Sequence, residues 1–258
     1  MLKKYINNKW LDPISLNKVY TKNNPYPHIV MDNFFNISIL EKILKEFPDL
    51  SKFSGKKIKN FNKNYEKKLA SNSIEILSPT AFNFISFLNS EFFLKYLQKL
   101  TGIKETLISD PYLSGGGYHE IKRGGFLKIH ADFNKHHYID IDRRINLLIY
   151  LNKKWDEVWG GDFQMFDENM NGPLKRIYPH FNTCVIFNTT SSTFHGHPDP
   201  LMCPENRSRK SLALYYFSSG RPSYESNTSH GTLFKEREYE KFDLKNKNPF
   251  INILKKIF

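Results

Sequence analysis

The stretch FLKIHADFN, residues 126–134, decides how this chain is read. Side chains at i and i+2 of a strand face the same way, so a strand here turns His130 and Asp132 to one face. An imidazole and a carboxylate are costly to bury unless something satisfies them, and a divalent metal does. Two ligands on one strand need a third from elsewhere. STFHGHPDP, residues 192–200, offers two candidates, His195 and His197. Two histidines and one carboxylate on one face of an octahedron leave the opposite face open, an arrangement suited to non-haem Fe(II).

Working outward, the hydrophobic pattern has period two from about residue 106 onward. Strands are expected near 106–109, 115–121, 125–132, 144–151, 161–166, 174–178, 182–188 and 208–217. Clusters of turn residues separate them: SGGG, KRGG, WGGD, DENMNGP and HPDP. Short strands at this spacing predict a sandwich or jelly roll. GGD at 160–162 reads as a tight turn into a strand.

Upstream, NISILEKILKEF (36–47) has helical spacing with Asn36 placed to cap it. Residues 78–102 read as two helices, broken near Asn89 and Ser90 and ended by Gly102. Residues 1–27 are polar and end in a segment punctuated by proline, and the tail REYEKFDLKNKNPFINILKKIF (237–258) suggests a terminal helix. The expected architecture is α+β but mainly β, in one domain over 1–258. It comprises an N-terminal support region of helices packed on one sheet (1–104), a jelly-roll core (105–218) and a C-terminal extension (219–258).

Composition agrees with a globular fold: 258 residues, 40% hydrophobic and 15% aromatic. No apolar run approaches membrane-spanning length, so no membrane span is expected. The N-terminus carries charge without an apolar run, so no secretory leader is expected. Cys184 and Cys203 have no CxxC spacing, and a reduced, cytoplasmic setting is expected. The formal net charge is +12. Its densest part, residues 51–68, holds seven lysines and one acid and reads as a solvated loop. Lysine rather than arginine dominates there, which weakens a phosphate-recognition role, and nucleic acid is not an expected partner.

With GGFLKIHADFN, INLLIYLNKKWDEVWGGDFQMF, TCVIFNTTSSTFHGHPDP and RSRKSLALYYF in hand, residues 105–218 resemble the Fe(II)/2-oxoglutarate-dependent dioxygenases, specifically the prolyl-4-hydroxylase-like branch. These elements occur in the family's order and at its usual separations. NNPYPHIVMDNFF also resembles the segment that opens many members. The resemblance implies a double-stranded β-helix fold. It implies His130, Asp132 and His195 as the iron ligands, with no catalytic residue beyond them and His197 outside the set. It implies Arg209 for the remote carboxylate of 2-oxoglutarate, with Arg207 as the competitor, and Tyr150 as a helper. Tyr215 falls where the family places an aromatic on the same strand.

The implied cofactors are Fe(II), 2-oxoglutarate as cosubstrate and O2, with ascorbate as an auxiliary reductant. The implied reaction hydroxylates an unactivated C–H bond and releases succinate and CO2. The substrate expected is a prolyl residue or proline. The carboxylate at Asp132 argues for hydroxylation, since a Gly or Ala there would open a site for halide. Two further readings stand beside this one: a hydroxylase of a carbohydrate or other small molecule, and a non-catalytic jelly-roll binding module with a basic surface. A zinc hydrolase would leave Arg209 without a task.

The remaining polar residues carry weaker signals. His119 reads as a structural histidine near the cosubstrate, and His136 and His137 read as exposed loop residues that could reach substrate. Asn146 and Gln164 are candidate polar groups of the pocket.

Overall fold

The computed structural model describes residues 1–225 and 228–241. The N-terminal part contributes helices α1 (Leu2–Tyr5), α2 (Pro13–Tyr20), α3 (Ile37–Lys45), α4 (Pro79–Leu88) and α5 (Glu91–Thr101). Local chemistry sets their ends as expected. The Asn36 side chain accepts from the Ser38 amide to cap α3, and Ser78 accepts from the Ala81 amide to cap α4. Gly102 closes α5 at φ 72°, a left-handed conformation that suits glycine.

Thirteen strands follow chain order: β1 (His28–Asp32), β2 (Lys59–Lys63), β3 (Glu66–Ser71), β4 (Leu107–Ile108), β5 (Gly117–Lys122), β6 (Phe126–Ala131), β7 (Asp142–Tyr150), β8 (Phe163–Phe166), β9 (Lys175–Ile177), β10 (Thr183–Asn188), β11 (Phe194–His197), β12 (Ser208–Ser218) and β13 (Leu233–Phe234). They form one antiparallel sheet in the order β1-β10-β7-β12-β5-β3-β6-β11-β8-β9, with β2 on β3, β4 on β12 and β13 on β6. The sheet curls into a nearly closed jelly-roll barrel. The cavity inside draws side chains from β12, β7 and β5 on one wall and β6, β11 and β8 on the other.

Strand β7 shows why the sequence folds this way. Ile145, Leu147 and Ile149 face the helices and share a core with Phe84, Leu97 and Leu100, while Tyr150 faces inward against Phe163 and Val185. A strand covered on both faces reads as a continuous apolar run, as INLLIYL does.

All eight strands expected from the sequence are present, within two or three residues of their ends. Five more, β1, β2, β3, β11 and β13, are not in the sequence reading. The first 104 residues are therefore a helical support with three strands in it. The largest correction concerns residues 51–68. They are not a solvated loop: β2 and β3 form a hairpin over much of this stretch, and β3 bridges β5 and β6. A lysine-rich strand with one exposed face has no apolar run to reveal it, and only the pairing partners show it as sheet. The terminal helix expected over 237–258 lies, from residue 242 on, outside the described residues.

The C-terminal segment straps the metal end of the barrel. β13 pairs with β6 opposite Ala131 and His130, and the Lys235 amide donates to the Ile129 carbonyl. Arg237, paired with Asp199 and Glu240, fastens the strap.

Candidate metal centre and cosubstrate pocket

His130 and His195 are directly paired across β6 and β11, which brings their rings to 4.6 Å. Asp132 follows the end of β6. One donor atom from each of His130, Asp132 and His195 lies within 4.8 Å of the others. His130 Nε2 is 3.6 Å from Asp132 Oδ1, and His195 Nε2 is 3.2 Å from Asp132 Oδ2.

The other ring nitrogens are engaged. His130 Nδ1 donates to the Lys128 carbonyl at 2.8 Å, and His195 Nδ1 donates to the Thr193 carbonyl at 2.9 Å. A carbonyl can only accept, so these bonds put the proton on Nδ1 and leave the Nε2 lone pair facing inward. Two lone pairs and a carboxylate then converge in a buried space. A cation resolves that repulsion, so the donor set fits a divalent metal.

Asp132 is held from behind. Asn146 Nδ2 donates to its Oδ2 at 2.6 Å, and the Arg143 guanidinium lies 3.0 Å from the same oxygen. Arg143 also donates to Asn146 Oδ1, at 2.9 and 2.6 Å, and stacks on Tyr215 and Phe133 at 3.4 and 4.3 Å. Burial alone would raise the Asp132 carboxyl, but the Arg143 guanidinium holds it well below the usual carboxylate range.

Arg143 is fully buried, and sequence reasoning missed it. In strict alternation it would share a face with Ile145 and point at the helices. The β7–β12 register shifts, so that Tyr216 faces Ile145 but Phe217 faces Arg143. One extra residue re-aims the guanidinium into the site, as β-bulges do. No sequence pattern announces such a bulge.

Arg209 lies deeper in the cavity, on β12, and is 4% exposed. Its Nε donates to the Gly161 carbonyl at 2.8 Å and its Nη2 to the Tyr150 hydroxyl oxygen at 3.2 Å. Among the described residues it has no carboxylate partner. A buried guanidinium in this state fits an incoming carboxylate, with the Tyr150 hydroxyl free to donate to the same group. Gly161, at φ 77°, is needed there: a Cβ would stand 2.6 Å from Leu201 and 3.1 Å from Arg209 Cδ. The expected competitor, Arg207, lies before β12, bonds the Lys154 carbonyl and packs on Trp159, away from the cavity.

The cavity brings together His130, Asp132, His195, Arg209 and Tyr150, and adds Tyr215, Asn146, His119 and His197. It also includes Lys68, from the basic stretch that reads as loop in the sequence. Burial lowers the His119 imidazole to about 3, and neighbouring Lys68 pushes the same way. Burial likewise holds His197 well below its ordinary value, with Arg209 and Lys68 adding to the effect.

His136 and His137 do not line the cavity. His136 is buried rather than exposed, 3.5 Å from Asp110, whereas His137 is exposed as expected, with its Nδ1 2.6 Å from Ser114 Oγ. Gln164 is buried outside the cavity lining.

With this geometry established, comparison with known proteins gives the class. Residues 116–217, strands β5 to β12, match the family model of the 2OG-Fe(II) oxygenase superfamily. Its enzymes are 2-oxoglutarate-dependent dioxygenases, and the class implies Fe(II), 2-oxoglutarate and O2 as cofactors.

Among solved structures, the chain is similar to a prolyl-4-hydroxylase from Pseudomonas putida (13% identity, TM-score 0.56, covering 81% of this chain and 100% of that one). It is similar to a prolyl hydroxylase from Trichoplax adhaerens in complex with a hypoxia inducible factor oxygen degradation domain peptide fragment (16% identity, TM-score 0.56, 81% and 91% covered). It is also similar to HygX from Streptomyces hygroscopicus with nickel, 2-oxoglutarate and hygromycin B bound (13% identity, TM-score 0.50, 81% and 92% covered). At these identities the likeness establishes the fold. A search of curated protein sequences gives no match. Among the described residues, no helix is long and apolar enough to cross a membrane.

Proposed function

We propose that this chain is an Fe(II)- and 2-oxoglutarate-dependent hydroxylase that acts on a prolyl residue or proline, with His130, Asp132 and His195 as the metal ligands. The observation that carries the oxygenase reading is the pairing of two unsatisfied features in one cavity. One is a convergent His/Asp/His donor set. The other is a buried guanidinium with no carboxylate partner among the described residues. A metal-free binding module gives no physical reason to hold both.

When bound, Fe(II) supplies the activation of O2 that is coupled to decarboxylation of 2-oxoglutarate to succinate. The chain's own groups prepare that chemistry. The Lys128 and Thr193 carbonyls keep the Nδ1 protons of His130 and His195 and so fix both ligands in the binding tautomer. Asn146 and Arg143 hold one oxygen of Asp132 and leave the other turned towards His130. Arg209 and Tyr150 orient the cosubstrate through its remote carboxylate. Leu148, Ile121, Leu127 and Phe163 line the space between and exclude water.

The prolyl substrate is supported by the kinship of fold with two prolyl hydroxylases, one of them holding a peptide. The similarity to HygX, which holds hygromycin B, favours a small polyhydroxylated substrate as the second reading. The test begins under anaerobic conditions. Fe(II) followed by 2-oxoglutarate is expected to give a visible metal-to-ligand charge-transfer band, lost in His130→Ala. Succinate release and one added oxygen atom are then followed by mass spectrometry on prolyl peptides and on aminoglycosides. A folded protein that gives no band overturns the oxygenase reading. Oxygen added to an aminoglycoside and not to proline overturns only the substrate.

A further inference from the structure

Strand register sorts the cavity into layers. In one layer His195 pairs with His130 across β11 and β6, and His119 pairs with Ser211 across β5 and β12. In the adjoining layer His197 pairs with Leu127, and Arg209 pairs with Ile121. β3 spans the gap between these two pairs. Its Glu66 lies opposite Leu127, and Lys68 sits one residue on from the Leu69–Glu120 pair, which brings it level with Ile121. Lys68, His197 and Arg209 therefore share the floor of the cavity, below the metal ligands.

One feature of this floor is unexplained by the protein alone. His197 is 4% exposed, yet among the described residues neither of its ring nitrogens has a hydrogen-bond partner. Buried polar groups are almost always satisfied, and leaving one unpaired is expensive. Lys68 is 14% exposed in its side chain, lies 3.4 Å from the Glu66 carboxylate and stands 5.0 Å from the centre of the Phe61 ring. The floor thus collects an unpaired imidazole and two cations, of which Lys68 is paired with Glu66 and Arg209 has no carboxylate partner among the described residues. Among the residues lining the cavity the sole carboxylate is Asp132, and that is held at the metal end.

We propose that Lys68 and His197 act with Arg209 as a three-point clamp on the remote carboxylate of 2-oxoglutarate. Resting on the oxygenase reading, this makes Lys68 and His197 cosubstrate-binding residues of this chain's own. Lys68 lies outside the segment that matches the superfamily and belongs to a hairpin laid over the barrel. Its ammonium contributes charge, and the His197 imidazole donates one N–H into a space lined otherwise by Leu127 and Ile121. A carboxylate oxygen satisfies both, and charge-assisted bonds of this kind are the strong ones. His119, whose Nε2 also lacks a partner, stands one layer nearer the metal, beside the middle of the cosubstrate.

The test is calorimetric titration of 2-oxoglutarate into the Mn(II)-loaded full chain without O2. Lys68→Met and His197→Leu are each expected to weaken 2-oxoglutarate binding about tenfold or more, as loss of a hydrogen bond to a charged group does. Lys68→Arg should restore most of the loss, and Mn(II) affinity should be unchanged. A second titrant, 2-oxobutyrate, lacks the remote carboxylate. With it the Lys68→Met effect should vanish, an outcome that a merely structural lysine would not give. The metal-free His197→Leu protein should melt no lower than wild type, because the substitution removes an unsatisfied buried group.

Should His197→Leu fail to fold, Lys68→Met and His197→Gln decide. Wild-type binding that is lost in Arg209→Gln but kept within about twofold in both Lys68→Met and His197→Leu overturns the clamp and leaves the oxygenase reading standing. No binding of 2-oxoglutarate by the folded wild type overturns both.

Discussion

The metal layer and the floor beneath it are built from the same kinds of side chain and are prepared in opposite ways. In the metal layer every proposed ligand is anchored by protein. His130 and His195 give their Nδ1 protons to carbonyls, and Asp132 is bonded by Asn146 and Arg143. On the floor, among the described residues, neither nitrogen of His197 is bonded and Arg209 meets no carboxylate. The contrast teaches what each layer waits for. A metal demands fixed directions, so the protein sets its ligands in advance. An anion supplies its own acceptors, so donors can be left open for it at a cost in stability.

The sharpest break in this comparison comes from the ligands themselves. His130→Ala should abolish metal retention after dialysis and reduce turnover by about a thousandfold or more, since the metal carries the chemistry. Metal content by plasma spectrometry checks the first expectation. A variant that keeps its metal would remove His130 from the site. Less severe is the loss of an anchor. Asn146→Ala leaves all three donors in place but frees Asp132 Oδ2 on one side. It is expected to weaken metal binding about 10- to 100-fold, as loss of an outer partner does. An unchanged metal affinity would mean that Arg143 alone aims the carboxylate.

The two layers also differ in how legible they were. The metal layer was readable because its ligands lie at strand spacing within two short stretches. The strands on either side are apolar runs between glycine-rich turns, so the barrel was readable with them. Arg209 was legible through the resemblance of RSRKSLALYYF to the family's last long strand, which places it ahead of Arg207. Lys68 was not, because nothing in KNFNKNYEKKLAS distinguishes a strand from a solvated lysine-rich loop until β5 and β6 are known to be its partners. Arg143 was hidden by a bulge that reverses its phase. His197 was visible in the sequence, but its want of a partner is a property of packing. Residues 219–258 read as an extension. The pairing of β13, within it, with β6 is long-range and no local signal encodes it.

Acid should act on the buried imidazoles. Burial lowers His119 to about 3 from its ordinary 6.5, and it lowers His28 as well. The unfolded chain takes up these protons near pH 6.5 and the folded chain refuses them. The stability they contribute is therefore present above about pH 6.5 and is lost progressively as pH falls below it. The ligand-free protein is expected to melt about 5 °C lower at about pH 5 than at about pH 7, read by circular dichroism. His119→Leu should flatten that slope. An unaltered slope would show that the acid response belongs to other groups.

The smallest expected effect tests how the floor is held in place. Arg209 hangs from the Gly161 carbonyl by its Nε, and Gly161 stands at φ 77° with Leu201 and Arg209 Cδ close to where a Cβ would be. Gly161→Ala therefore strains the backbone and pushes on the guanidinium stem at once. About 1–2 kcal/mol of stability should be lost, from the positive φ and the crowding together. The 2-oxoglutarate requirement should rise a few-fold while metal affinity stays constant, because the metal ligands lie on β6 and β11 and the Gly161 turn supports β12. Gly160, in the same turn at φ 72° but with open space around its Cβ position, supplies the control. Gly160→Ala carries the backbone strain without the push on Arg209. If both variants raise the cosubstrate requirement equally, the turn as a whole positions the floor. If Gly161→Ala alone does so, the contact with Arg209 is what keeps the guanidinium aimed into the cavity.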